Sequence, residues 1–97
     1  MYLEIVTPEA VLFTSTVDSV SVPGINGQFQ MLNNHAPIVS ILKEGTVNVH
    51  MHSQQHFELD DFSGKLTPHV DDDKILTLAI SGGTLELKEN KVIILAD

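Results

Sequence analysis

The sequence predicts an all-β fold: a flattened antiparallel β-sandwich of about ten short strands, forming a single domain. Three observations predict it. Apolar residues recur with period two, turn-forming residues interrupt them every 8 to 12 residues or so, and helical spacing is sustained nowhere. At 97 residues, the chain is long enough for one domain that buries roughly 60 to 65 % of the surface its unfolded form exposes.

Each element follows from its own residues. Leu3 and Ile5 flank Glu4, and Val20 and Val22 flank Ser21, so each trio puts its apolar pair on one strand face. Pro23-Gly24 and Asn26-Gly27 supply turn residues before Phe29, Gln30 and Met31 resume the alternation. Asn33-Asn34 and Glu44-Gly45 punctuate the middle of the chain, Thr7-Pro8 its beginning. Val47, Val49 and Met51 alternate with Asn48 and His50; Leu76, Leu78 and Ile80 enclose Thr77; Leu85 and Leu87 enclose Glu86. Gly82-Gly83 and Glu89-Asn90 are the turns around that last pair. Val92-Ile93-Ile94-Leu95 is apolar on both faces, which marks either a central strand covered on both sides or a strand at an interface. Residues 52–74 break the rhythm with a polar, acidic run. Phe57, Leu59, Phe62 and Leu66 give this run an apolar side, and Asp71-Asp72-Asp73 an acidic tip, so a surface hairpin is expected there.

Charge and composition exclude several functions. The net charge is -8, and the five basic residues are all lysines. No basic stripe is available to neutralise phosphates, so nucleic-acid binding is not expected, and an anionic membrane surface repels the chain. Cysteine is absent, which removes disulfides, thiolate nucleophiles and zinc-thiolate sites. The start, Met1-Tyr2-Leu3-Glu4-Ile5, lacks the basic and apolar regions of a signal peptide, and no apolar run approaches the ~20 residues of a membrane span. The expectation is a cytoplasmic chain.

No constellation for catalysis stands out. His50 and His52 alternate onto one strand face and invite a metal, but a third ligand at fixed spacing is missing. Asp71 to Asp73 lack the glycine and terminal glutamate of a calcium loop. No serine occupies a G-x-S-x-G elbow, and Gly24-x-x-Gly27 and Gly82-Gly83 are too short to cradle phosphate. They are turns. His35, between Asn34 and Ala36-Pro37, reads from composition alone as a loop histidine.

Taken in order along the chain, several pieces are jointly specific: Thr7-Pro8-Glu9 with Leu12-Phe13, Gly24-Ile25-Asn26-Gly27-Gln28, His35-Ala36-Pro37, Ser81-Gly82-Gly83 and Leu95-Ala96-Asp97. Together they resemble the N-terminal domain of the epsilon subunit of F-type ATP synthase. The resemblance implies a non-catalytic rotor subunit of the central stalk in the F1 sector, which clamps the gamma subunit, rests on the membrane c-ring and couples proton flow to ATP synthesis in a complex with alpha and beta subunits. It places Gly27, Gln28, Asn34 and His35 on the ring-facing side, and the protein at the cytoplasmic face of the bacterial plasma membrane. In the family a helical hairpin usually follows Leu-Ala-Asp; its absence after Asp97 implies a short form without the inhibitory arm and without a nucleotide site. No cofactor is implied. Residues 52–74 are longer than the family's usual connection. Many relatives have an acidic residue at the position of Gln28 and Pro-Gly at that of Asn33-Asn34, where asparagine also tolerates positive φ.

Two other classes share parts of the pattern. A secreted or periplasmic ligand-binding β-sandwich has similar strands, but also a signal peptide and stacking aromatics, whereas this chain has one Tyr and no Trp. A small His-dependent metalloprotein requires its histidines to converge.

Overall fold

Ten β-strands and no helix make up the residues described by the computed structural model, 1–51, 67–68 and 75–97. In chain order they are β1 (Tyr2–Val6), β2 (Val11–Thr16), β3 (Ser19–Gly24), β4 (Gly27–Leu32), β5 (Ile38–Leu42), β6 (Gly45–His50), β7 (Thr67–Pro68), β8 (Ile75–Ile80), β9 (Gly83–Lys88) and β10 (Lys91–Ala96). The expected surface hairpin of the acidic run, with Phe57, Leu59, Phe62, Leu66 and Asp71 to Asp73, lies outside the described residues.

The strands form one curled sheet in the order β2-β1-β10-β9-β5-β3-β6-β8-β7, with β4 on the free side of β3. Between β5 and β3 the path is held by a single pair, Gly24 with Leu42. The sheet therefore bends there into two halves, β2-β1-β10-β9-β5 and β4-β3-β6-β8-β7, whose inner faces make the core of a sandwich. All pairings are antiparallel except that of β1 with β10, which run parallel from Tyr2↔Lys91 to Val6↔Leu95.

The predicted alternation places the core residues. Leu3, Ile5, Val20, Val22, Met31, Val47, Val49, Val92 and Ile94 have no exposed surface, and Leu76, Leu78, Leu85 and Leu87 are buried with them. At about 25 cal/mol per Å² of apolar area removed from water, this set is the main term favouring the fold. Strand β2 departs from strict alternation: Ile5 pairs with Phe13 and Val6 with Val11, so a bulge turns both Leu12 and Phe13 inward.

Close approach explains two glycines. A Cβ on Gly83 would stand 2.3 Å from the Leu95 carbonyl oxygen on the neighbouring strand, and one on Gly45 2.6 Å from Cβ of Pro23. The β9–β10 turn is a two-residue hairpin with Glu89 at φ 53° and Asn90 at φ 62°, the mirror-image geometry that follows the twist of the strands.

Candidate partner-binding surfaces

The four residues assigned to the ring side by resemblance all lie along the β4 margin of the sandwich, though not in one cluster. Gly27 and Gln28 open β4, while Asn34 and His35 follow its far end. That separation is about 20 Å at the usual rise of a strand. Among the described residues strand β4 pairs with β3 alone, so its other side is an edge there, with Gln28, Gln30 and Leu32 exposed along it. The Gln28 amide donates to Ser21 Oγ at 2.6 Å, and the Gln30 amide to Ser19 Oγ at 3.2 Å. These bonds lay both side chains back over β3.

At the far end, an asparagine cluster fixes the loop. Asn34 has φ 64°, the left-handed geometry that asparagine accepts readily. Its N–H donates to Asn90 Oδ1 at 2.8 Å. Asn33 Oδ1 accepts both the Asn90 amide, at 2.9 Å, and the N-terminal ammonium of Met1, at 2.8 Å. His35 is half-buried; its N–H bonds the Leu32 carbonyl at 3.1 Å, and its Nδ1 donates to the Ala36 carbonyl at 2.7 Å. With Nδ1 so engaged, Nε2 is the ring nitrogen available to a partner.

A second surface comes from the outer face of the half-sheet β2-β1-β10-β9-β5, where register brings distant residues into rows. Ile41, Thr84, Leu95, Val6 and Val11 stand side by side across the five strands, and the next row is Val39, Glu86, Ile93, Glu4 and Thr14. Val39 is 78 % exposed, Ile41 59 %, Val11 53 % and Leu95 52 %, far more apolar surface than scattered single residues explain. A groove over the first row is walled by Thr7 and Pro8. Of the two expectations for Val92 to Leu95, a strand covered on both sides does not hold among the described residues: β10 is central within its half-sheet, but its outward Leu95 is uncovered. Sequence reading missed Val39 and Ile41. Their signal is an apolar residue on either side of Ser40, each out of phase with the inward Ile38 and Leu42.

The opposite outer face is polar, with Ser21, Gln30, Asn48 and His50 around a shallow recess. His52 lies outside the described residues, and among those described no three His, Asp or Glu side chains are grouped to hold a metal ion. No helix among the described residues is long and apolar enough to cross a membrane.

Comparison with known proteins places these surfaces in context. Residues 1–60 match the family model described as ATP synthase, Delta/Epsilon chain, beta-sandwich domain. The chain is 35 % identical over 95 residues to the ATP synthase epsilon chain of Desulforamulus reducens, covering 98 % of this chain and 57 % of that one. It is 34 % identical over 97 residues to that of Campylobacter curvus, covering 100 % of this chain and 60 % of the relative. The chain thus spans less than two thirds of the length of these two relatives. With the epsilon chain of Chlorobaculum tepidum the identity is 35 % over 95 residues, and 86 % of the relative is covered. A cryo-EM structure of the Tetrahymena thermophila mitochondrial ATP synthase central stalk and c-ring contains a chain of the same fold, with TM-score 0.68, 10 % identity, and 98 % of this chain and 61 % of that chain covered.

Proposed function

The chain belongs to the ATP synthase delta/epsilon family through its β-sandwich domain, and on that premise we propose that it is a non-catalytic central-stalk subunit of the F1 sector of a proton-translocating ATP synthase. It joins the gamma subunit to the membrane c-ring, in a complex with alpha and beta subunits, and supports the coupling of proton flow to ATP synthesis. It sits peripherally at the cytoplasmic face of the bacterial plasma membrane. The observation that carries this reading is the 34 to 35 % identity to epsilon chains along 98 to 100 % of this chain.

Within this role the ring-facing side is the β4 edge, from Gly27 and Gln28 to Asn34 and His35. Support comes from the polar side chains along an edge that is unpaired among the described residues and from the hydrogen-bonded asparagine cluster at its end. Polar loops of a ring can bond to the backbone and amide groups of such an edge without burying an unpaired charge.

Affinity purification of the tagged chain from its native cell tests the proposal. Recovery together with gamma, alpha, beta and c subunits is expected. Recovery of the chain alone, under conditions that keep the synthase intact, rules it out.

A further inference from the structure

Of the asparagines in the chain, Asn26 alone stands before a glycine, and the fold leaves it the least restrained. Strand pairing from Ser19↔Leu32 to Gly24↔Gly27 makes Ile25 and Asn26 the two loop residues of the β3–β4 hairpin. Both are exposed. The Asn26 side chain has no hydrogen-bond partner among the described residues. Gly27 sits at φ 129°, and a Cβ there would meet nothing within 4 Å, so the peptide after Asn26 faces open space. The Gly24–Gly27 rung is the last of its ladder, beside the loop, where fraying costs least. The other asparagines are held. Asn33 Oδ1 accepts two bonds, and the Asn34 N–H that follows it donates to Asn90 Oδ1 at 2.8 Å. The His35 N–H that follows Asn34 is bonded to the Leu32 carbonyl at 3.1 Å. Asn90 uses both ends of its side-chain amide. Asn48 lies half-buried inside β6 and precedes the β-branched Val49.

Asparagine is chemically labile because the backbone nitrogen of the next residue can attack its side-chain amide carbon. The N–Cγ bond forms, the Cγ–NH2 bond breaks, and the peptide proton leaves with the amide as ammonia, closing a succinimide ring. Water then opens either carbonyl of the ring, giving aspartate or, where the chain is rerouted through the side chain, isoaspartate. The net exchange is water in and ammonia out, with no oxidant or reductant. Attack needs a nitrogen that is neither crowded by its own side chain nor fixed in a hydrogen bond, and glycine meets the first condition at little conformational cost. We propose that Asn26 is a modification site, the position at which the folded chain converts asparagine to aspartate and isoaspartate. The conversion adds one negative charge to the -8 of the chain and sets it two positions before Gln28, at the head of β4. This is chemistry of the chain itself, and it goes beyond the stalk role.

The test incubates the purified full chain in mildly alkaline buffer, folded or in urea, and digests samples at intervals for mass spectrometry. Deamidation is read as a gain of one mass unit at each asparagine. Isoaspartate is read as methyl groups accepted from S-adenosylmethionine through an isoaspartate methyltransferase. In the folded chain, conversion at Asn26 is expected to be roughly tenfold or more faster than at Asn33, Asn34, Asn48 or Asn90. Asn26→Gln should remove nearly all methyl acceptance without altering the urea midpoint of unfolding, and Asn26→Ser replaces it should glutamine disturb the turn. Conversion at Asn26 in urea but not in the folded chain shows that the turn protects this residue, and overturns the proposal. Faster conversion of the folded chain at any of the other asparagines overturns it too, as does undiminished methyl acceptance in both variants.

Discussion

The Asn34 N–H and the Asn90 side-chain oxygen are 2.8 Å apart, although 56 positions separate the two residues. This bond ties the β4–β5 loop, which carries His35, to the β9–β10 turn of the other half-sheet. Both residues have positive φ, so each favours a side chain that tolerates the left-handed region and bonds locally.

Asn90→Ala therefore removes the acceptor for Asn34 and the donor to Asn33 from a turn that disfavours alanine. A loss of about 1 to 3 kcal/mol in unfolding free energy is expected. Asn90→Gly separates the causes, because it relieves the backbone while still deleting both bonds. Urea denaturation of the two variants should rank glycine above alanine and both below the unaltered chain.

Glu89 adopts φ 53° with no side-chain bond to offset it among the described residues. Replacing it by glycine relieves left-handed strain of about 1 to 2 kcal/mol and adds some entropy to the unfolded chain. A net gain of about 0.5 kcal/mol is expected, read as a rise in the thermal midpoint. A fall in the midpoint would show that the turn is not strained.

Gly83→Ala is expected to be the most damaging small substitution on β9. The new methyl would press on the Leu95 carbonyl at 2.3 Å, and that backbone atom belongs to the central strand of its half-sheet. Loss of about 3 kcal/mol or more is expected, with the neighbouring exposed Thr84→Ala within about 0.5 kcal/mol.

Gln28→Ala with His35→Ala tests the β4 edge as the ring-facing side. Gln28 is exposed and its one described partner is Ser21, so the isolated domain should stay folded. Truncation against a buried polar contact leaves unpaired groups, at about 1 to 3 kcal/mol. In membranes, proton pumping driven by ATP should weaken relative to hydrolysis. Unchanged pumping and unchanged assembly would count against this edge.

The strands that could be read from sequence are those whose partners enforce a clean two-residue period, such as Leu3-Glu4-Ile5 and Val47-Asn48-Val49. Strand β5 could not be read this way, because Val39 and Ile41 are apolar and exposed while Ser40 sits inward at partial depth. Period fails as a guide where a strand carries apolar residues on both faces. The bulge that buries Leu12 beside Phe13 also breaks the alternation locally. Pairing between remote strands leaves no local trace, so neither the parallel β1–β10 ladder nor the Asn33, Asn34 and Asn90 cluster is visible in the sequence, although Asn33-Asn34 and Glu89-Asn90 each read as a turn. The candidate site was legible by resemblance for Gly27, Gln28, Asn34 and His35. Their distribution along about 20 Å of one edge required the register.

The parallel ladder also has a bearing on the order in which the molecule can be built. Strand β10 is the last of the ten to leave the ribosome, yet it lies between β1 and β9 in the middle of its half-sheet. Until it arrives, β1 and β2 are a lone hairpin, a form that is marginal in water, and Leu3 and Ile5 lack the wall formed by Val92 and Ile94. Closure across some 90 residues must then precede any reward from those contacts, which favours slow folding. Until β10 is seated, the row of Glu4, Ile93 and Glu86 is incomplete, and the outer face of this half-sheet is not yet formed.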